Sequence, residues 1–371
     1  VKKNPFDSPP TGPDAKGITY VAPELVCDVE FLAWTGEDRL RQPVFKGLRM
    51  DRDPKEVRRE RIEHTPGENE VEEEDDDSPA SVLRPARRSS IKVSHPDRVL
   101  FPDCGVTKGD VAEYVQKYAD WILPHVADRA LALVRCPEGY TGECFFQKNP
   151  MGGMPSSIHE VDLGDATGLS IDSVDGLVGL AQFGALEIHP WGSRTEDIER
   201  PDRLTFDLDP GEDLGWDEVV QGAKDVRNLL KQFGLESWVK TSGGKGLHVC
   251  VPIEPELEWP EVKAFCRAIA EILQKQKPKK YIAEMSKAKR RGKIFVDYLR
   301  NGRGATSVAA FSLRARAGAP ISVPISWADV DTVGSGNGIT ILNIDEHFAK
   351  LRKDPWEDFL LASQSLRKII E

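Results

Sequence analysis

Residues 68–77 read Glu-Asn-Glu-Val-Glu-Glu-Glu-Asp-Asp-Asp, and eight of these ten are acidic. No helix or strand buries a face of such a run, because its charges repel one another and want water. The chain must therefore fold as one unit before it and another after it. Ser78-Pro79-Ala80-Ser81 and Arg87-Arg88-Ser89-Ser90 continue the same polar character. This predicts a linker over 61–91, an N-terminal piece over 1–60 and a large domain over 92–371, and 371 residues suit two such units.

Hydrophobic residues make up 39% of the chain, enough for a core. No apolar run approaches the roughly 18 residues of a membrane span, and Val1–Asp7 has no apolar signal core. The six cysteines form no C-x-x-C pair, so neither a zinc site nor a disulfide framework is expected. The expectation is a soluble, reduced, cytoplasmic protein. A net charge of −11 argues against a generally adhesive nucleic-acid binder but leaves room for a local patch. Residues 275–303 are such a patch, with 11 basic residues against Glu284 and Asp297. They read either as a solvated surface or as a phosphate-binding one.

Within the large domain, Thr107 has the look of an N-cap with Asp110 three residues on, and Val111, Tyr114, Val115, Tyr118, Trp121 and Ile122 follow at helical spacing. Residues 130–136 read as a buried strand, and 176–186 as a helix or turn leading into Glu187-Ile188-His189-Pro190-Trp191. Residues 203–209 alternate, with Leu204, Phe206 and Leu208 on one face and Thr205, Asp207 and Asp209 on the other. Residues 216–233 form a helix that Gly234 stops, and 237–241 and 247–251 are strands joined by a glycine-rich turn. A helix starts near Pro260, strands follow at 294–299 and 308–313, and an amphipathic helix closes the chain over 355–371 with Trp356, Phe359, Leu360, Ser363 and Leu366 on one face. Without regular βαβ alternation, the fold class is α+β, with a central mixed or antiparallel sheet flanked by helices.

Three clusters carry chemistry. Asp207 and Asp209 lie about 7 Å apart on one strand face, where they are either a surface pair or ligands to a divalent cation. Thr241-Ser242-Gly243-Gly244-Lys245-Gly246-Leu247-His248 is either a tight hairpin turn or an anion nest, with bare N–H groups, the Ser242 hydroxyl, the Lys245 charge and a His248 donor. Asp297 sits in an apolar strand, as a salt-bridge partner or a third ligand. His189 is open to a structural or a functional reading. Phe145-Phe146, followed by Gln147-Lys148, is either core or a stacking platform for bases.

In order and approximate spacing, Phe206–Pro210, Thr241–His248 and Phe295–Asp297 resemble the three motifs of archaeo-eukaryotic-type primases. Val99–Pro102, Phe145–Lys148, Leu186–His189 and Phe311-Ser312-Leu313-Arg314-Ala315-Arg316 extend the resemblance, over roughly 91–350, to the polymerase domain of bacterial multifunctional DNA ligases of non-homologous end joining. The resemblance implies a primase-polymerase-like fold and nucleotide addition at DNA ends, templated or not, with ribonucleotides preferred. It implies two Mn2+ or Mg2+ ions on Asp207, Asp209 and Asp297. Ser242, Gly243, Gly244, Lys245, His248, His189 and Arg314 are implied nucleotide contacts. Phe145 and Phe146 are implied to stack on the template near the break, and Lys148 is an implied DNA contact. Lys108 is an implied reader of the downstream 5′-phosphate, with Arg98 beside it where the family often has a lysine. Implied partners are double-stranded DNA ends with a 5′-phosphate, NTP or dNTP, Ku, and a ligase or adenylation domain, with nucleoid association at breaks.

Leu40–Arg52 resembles the last motif of ATP-dependent DNA ligases, near the end of their OB-fold domain, and 25–34 is an expected strand of it. No K-x-D-G adenylation motif occurs in the chain. The expectation is therefore a partial OB-fold tail, without ligase activity, at the front of the C-terminal part of a ligase–polymerase polyprotein or of a split version. The mechanism implied is two-metal nucleotidyl transfer, with the ions about 3.5–4 Å apart. The rival readings are a replicative-type primase and a non-catalytic DNA-end tether.

Overall fold

The computed structural model describes residues 88–286, 289–351 and 353–370 and, as backbone only, four strands within 26–49. The predicted linker lies outside the described residues up to residue 87. Just beyond, Ser89 Oγ donates to Asp175 at 2.6 Å and the Ser90 amide donates to the same oxygen at 2.8 Å. These two serines, expected in the linker, are thus docked on the first turn of a helix. In the N-terminal unit, β1 (Val26–Glu30) pairs antiparallel with β4 (Val44–Arg49), and β2 (Ala33–Trp34) with β3 (Leu40–Arg41). The single strand expected over 25–34 is thus divided between β1 and β2.

The large unit begins with the short ladder of β5 (Val99–Phe101) and β6 (Val106–Thr107), which leads into α1 (Lys108–Lys117). Thr107 and Asp110 close the expected capping box. The helical pattern through Ile122 is broken at Tyr118 into α1 and α2 (Ala119–Val126). Then come β7 (Leu131–Arg135), β8 (Phe145–Gln147), β9 (His159–Asp162), β10 (Thr167–Ser170), α3 (Val174–Gln182) and β11 (Ala185–Pro190). These strands form an antiparallel sheet in the order β11-β7-β10-β9, with β8 also on β7.

After the small hairpin of β12 (Ser193–Arg194) and β13 (Asp197–Pro201), the second sheet is built from β14 (Arg203–Pro210), β15 (Trp238–Thr241), β16 (Leu247–Pro252), β17 (Tyr281–Ile282), β18 (Ile294–Asp297) and β19 (Pro324–Ile325). Its order is β17-β18-β14-β16-β15-β19, antiparallel except for the β17–β18 pair. This is the mixed sheet that the sequence predicts.

Helices α4 (Trp216–Gln232) and α5 (Trp259–Gln276) cover one face of that sheet. Leu204, Phe206, Leu208, Leu247, Val249, Val251 and Val296 bury against Val219, Val226, Val262 and Ile269 of the helices. Strand alternation then forces Asp207, Asp209, His248 and Asp297 onto the opposite face. Packing of one face thereby positions the polar groups of the other.

Two predicted elements are absent. Residues 308–313 are not a strand. Phe311 has φ +61°, and neighbouring amides go to different partners: Ala309 to the Ile188 carbonyl, Phe311 to that of Ser322, Arg314 to that of Pro320. A ladder needs one partner strand along its length. Nor is 355–371 one helix: a run of turns leads to a short α7 (Arg367–Ile370), after α6 (Ile344–Lys350). Trp356 and Phe359 are buried as expected, but they stack on each other at 4.4 Å, and the Trp356 indole donates to the Val239 carbonyl. Leu360, assigned to the buried face, is exposed.

A disulfide joins Cys136 to Cys144, against the expectation of reduced thiols. The β7–β8 register explains it. Arg135 pairs with Phe145, so the next residue out on each strand is a cysteine, with Cα atoms 4.4 Å apart. Among the described residues no helix is long and apolar enough to cross a membrane.

Candidate active site

Asp207 is the centre of a row of side chains that crosses the sheet. The register sets it opposite Asp297 on β18 and opposite His248 on β16, and His248 is in turn opposite Lys240 on β15. Directly opposed residues share a face, so Asp297, Asp207, His248 and Lys240 stand side by side. Asp209, two residues along β14, is on the same face beside Phe295.

The charges are paired. Arg300 places Nε 3.2 Å from Asp297 and Nη2 3.4 Å from Asp207. His248 Nε2 is 3.4 Å from the other Asp207 oxygen. Arg290 pairs with Asp209 and lies over the Phe295 ring at 4.3 Å. Burial alone would raise the Asp207 carboxyl, but His248, Arg300 and Lys240 outweigh it and hold it well below the usual range. Burial does raise Asp297, and the Asp207 and Asp209 charges add to this against Arg300. His248 is pushed down to about 4 by burial and by Lys240, in spite of Asp207. At neutral pH it is therefore a neutral ring aimed at an ionised Asp207. His248 Nε2 thus faces Asp207, while its Nδ1 is buried without a hydrogen-bond partner among the described residues.

The glycine-rich turn has the predicted place, but two of its amides are already engaged. Ser242 Oγ accepts from Gly244 N at 3.2 Å and Gly246 N at 3.1 Å, so the serine fills its own nest. Gly246 allows close approach, since a Cβ there would meet the Leu208 carbonyl oxygen at 2.3 Å. Gly243 has φ +63°, and a Cβ there would strike Arg314 Cγ at 2.6 Å. Lys245 stands exposed at the turn. Arg314 Nη1 donates to the Ser242 carbonyl, and its Nε is 2.9 Å from Glu187, which also meets His189. His189, Arg314 and the turn are thus brought together, as expected.

Arg98 and Lys108 are also neighbours, since the Lys108 amide donates to the Arg98 carbonyl. The Lys108 side chain, expected to meet a phosphate, is 5% exposed. Phe145 and Phe146 do not divide between core and solvent: they are 39% and 64% exposed. Arg135 lies 5.2 Å from the Phe145 ring, and Phe146 meets the His189 ring edge-on at 6.1 Å. Lys148 is exposed just past β8.

Sequence reasoning missed Arg290, Arg300, Lys240 and Glu187 as members of the site. The two arginines were visible only as part of a basic run. Glu187 had a signal: on a strand it shares a face with His189 two residues on.

Three carboxylates on one face supply the hard oxygens that suit Mg2+ or Mn2+. The donor set fits such ions in type and in facing. Among the described residues, however, no three such side chains converge to hold one, and Arg290 and Arg300 engage their oxygens. Binding would require these guanidinium groups to withdraw.

Residues 107–356 match the family described as LigD, primase-polymerase domain, and residues 1–52 match the ATP dependent DNA ligase C terminal region. The multifunctional non-homologous end joining protein LigD of Pseudomonas aeruginosa is 36% identical over 374 residues, covering 97% of this chain and 43% of that protein. Its counterpart in Mycolicibacterium smegmatis is 33% identical over 250 residues, covering 66% of this chain and 33% of that protein. The chain thus spans less than half the length of these relatives. Among solved structures, the polymerase domain from Mycobacterium tuberculosis Ligase D in complex with DNA superposes with a TM-score of 0.67 at 28% identity, covering 74% of this chain and 99% of that one. With most of its length matched by that family, the chain belongs to the LigD primase-polymerase domain family.

Proposed function

We propose that this chain extends DNA 3′ ends and fills gaps at double-strand breaks, with ribonucleotides preferred. The carrying observation is the register that sets Asp207 opposite Asp297, with Asp209 on the same face and the Ser242–Arg314–His189 cluster beyond His248. When bound, divalent ions, Mn2+ or Mg2+, supply a lowered pKa at the primer 3′-hydroxyl and neutralise charge on the triphosphate. Asp207, Asp209 and Asp297 are the residues that would hold them. His248 keeps Asp207 oriented and ionised. Lys245 and Arg314 provide cations for the phosphates, and the rigid turn fixes where they stand. Phe145 and Phe146 offer exposed rings to unpaired template bases, with Lys148 for the backbone. Arg98 and Lys108 form the 5′-phosphate site.

The partners in this reading are DNA ends, NTP or dNTP, Ku and a separate adenylation domain, with the work done on the nucleoid. The M. tuberculosis polymerase domain, solved in complex with DNA, supports the first of these. The non-catalytic tether draws on one observation, that all three carboxylates are ion-paired with arginine. Gap filling on a 5′-phosphorylated duplex, with rNTP against dNTP in Mg2+ and in Mn2+, separates the readings. Metal-dependent extension supports the polymerase, and DNA binding without extension supports the tether.

A further inference from the structure

Glu187 lies on β11, in the other sheet from the aspartates, and its side chain is 7% exposed. A carboxylate buried to that degree persists as an anion only when its oxygens are fully engaged. They are. Oε2 is 2.7 Å from His189 Nε2 and 2.9 Å from Arg314 Nε, and Oε1 accepts the Ala315 amide at 2.9 Å. Burial would raise this carboxyl, but His189 and Arg314 outweigh it and bring it down to about 2. An ionised carboxylate only accepts, so the proton between it and His189 belongs to Nε2. The Arg314 contact is an ion pair whose Nε–H is not aligned as a hydrogen bond. The guanidinium is fastened at its other end, where Nη1 donates to the Ser242 carbonyl. One buried anion therefore ties together β11, the 314–315 segment and, through Arg314, the glycine-rich turn.

We infer that Glu187 is the positioning residue of the nucleotide pocket: it fixes His189 as the Nε2–H tautomer and holds Arg314 against the turn, ready for the incoming triphosphate. This rests on the reading of His189, Arg314 and Ser242 as nucleotide contacts. Glu187 itself touches no substrate. Two opposite effects follow from its removal. Neutralising it leaves the pocket more cationic, which on charge alone would tighten triphosphate binding. It also frees Arg314 and His189 to leave their places, which weakens binding. Positioning is the larger effect where an arginine must present a planar fork in one orientation.

The test is steady-state gap filling by the full chain carrying Glu187→Gln, with the nucleotide varied. The nucleotide KM should rise by about tenfold or more while kcat changes much less, the pattern of lost ground-state binding. Glu187→Asp, which keeps the charge, should recover part of the loss. Affinity for gapped DNA should stay at the wild-type value. An unchanged or lower KM in Glu187→Gln would overturn the inference, the lower value showing that charge outweighs position. If the variant does not fold, the His189 tautomer of the unsubstituted chain, read from imidazole nitrogen shifts, decides instead. Nε2–H is expected, and a neutral Nδ1–H ring would overturn the inference. A wild-type chain that incorporates no nucleotide would sink the polymerase reading itself, a distinct outcome from a working wild type with an indifferent variant.

Discussion

Asp207 and Asp297 stand directly opposite each other on neighbouring strands, yet their carboxyls are driven in opposite directions. Asp207 has His248, Arg300 and Lys240 around it, whereas Asp297 has Arg300 and the Leu299 amide against burial and two other carboxylates. Crowded carboxylates repel, so by itself the sequence predicts that any Asn replacement at 207, 209 or 297 preserves or raises stability of the metal-free protein. The pairing divides that expectation.

Asp297→Asn should leave the metal-free protein as stable or more so, because the ionised form is disfavoured there. Asp207→Asn should lower stability, because it removes an anion whose field favours the buried Lys240 charge and leaves Arg300 paired with Asp297 alone. Urea denaturation of both variants in chelator checks this. Equal shifts would show that the two positions are electrostatically alike.

Stability should carry a pH signature from Glu187. Its folded pKa of about 2 lies below the ordinary value of 4.5, so its contribution is present above about pH 4.5 and is lost as pH falls toward 2. The size is on the order of 3 kcal/mol. The stability advantage of the wild type over Glu187→Gln should therefore shrink on acidification across that window, as denaturation at stepped pH would report. A difference independent of pH would contradict it.

Lys108 is buried, so its substitution can act through the fold as well as through a 5′-phosphate. Lys108→Ala should weaken binding to a gapped duplex carrying the phosphate by about 1 kcal/mol or more, and much less when the phosphate is missing. Equal losses on both duplexes would show that Lys108 serves the fold and reads no phosphate.

The Cys136–Cys144 bond closes the hairpin that carries Phe145 and Phe146. Cys144→Ser should destabilise the hairpin by about 2 kcal/mol, from the loop entropy restored to the open chain. Amide exchange over 143–147 should accelerate while β14 stays protected. No change in exchange would show that the β7–β8 ladder holds the hairpin unaided.

The centre of the site was legible because it obeys local rules. Alternation over 203–209 separates Leu204, Phe206 and Leu208 from Asp207 and Asp209, and the helices over them confirm that facing. Thr107 and Asp110 cap α1 by a purely local contact. What was illegible depends on distant chain. The amides over 309–314 are divided between two distant segments, at Ile188 and at Pro320–Ser322, so apolar residues there form no strand. Trp356 and Phe359 satisfy one another and Val239 without a helix. Ser242 turning inward on Gly244 and Gly246, and Arg300 bridging two strands, are likewise products of tertiary placement.

The central claim is that Asp207 and Asp209 do chemistry on that sheet face. Its most direct test is extension of a primed, gapped, 5′-phosphorylated duplex by the Asp207→Asn/Asp209→Asn double variant, in Mg2+ and in Mn2+, with DNA affinity measured on the same protein. Extension should fall by at least about 10²-fold while DNA binding persists, in line with several kcal/mol of transition-state stabilisation by metal. Extension at a near wild-type rate would contradict the assignment and leave the carboxylates as partners of Arg290, Arg300 and His248.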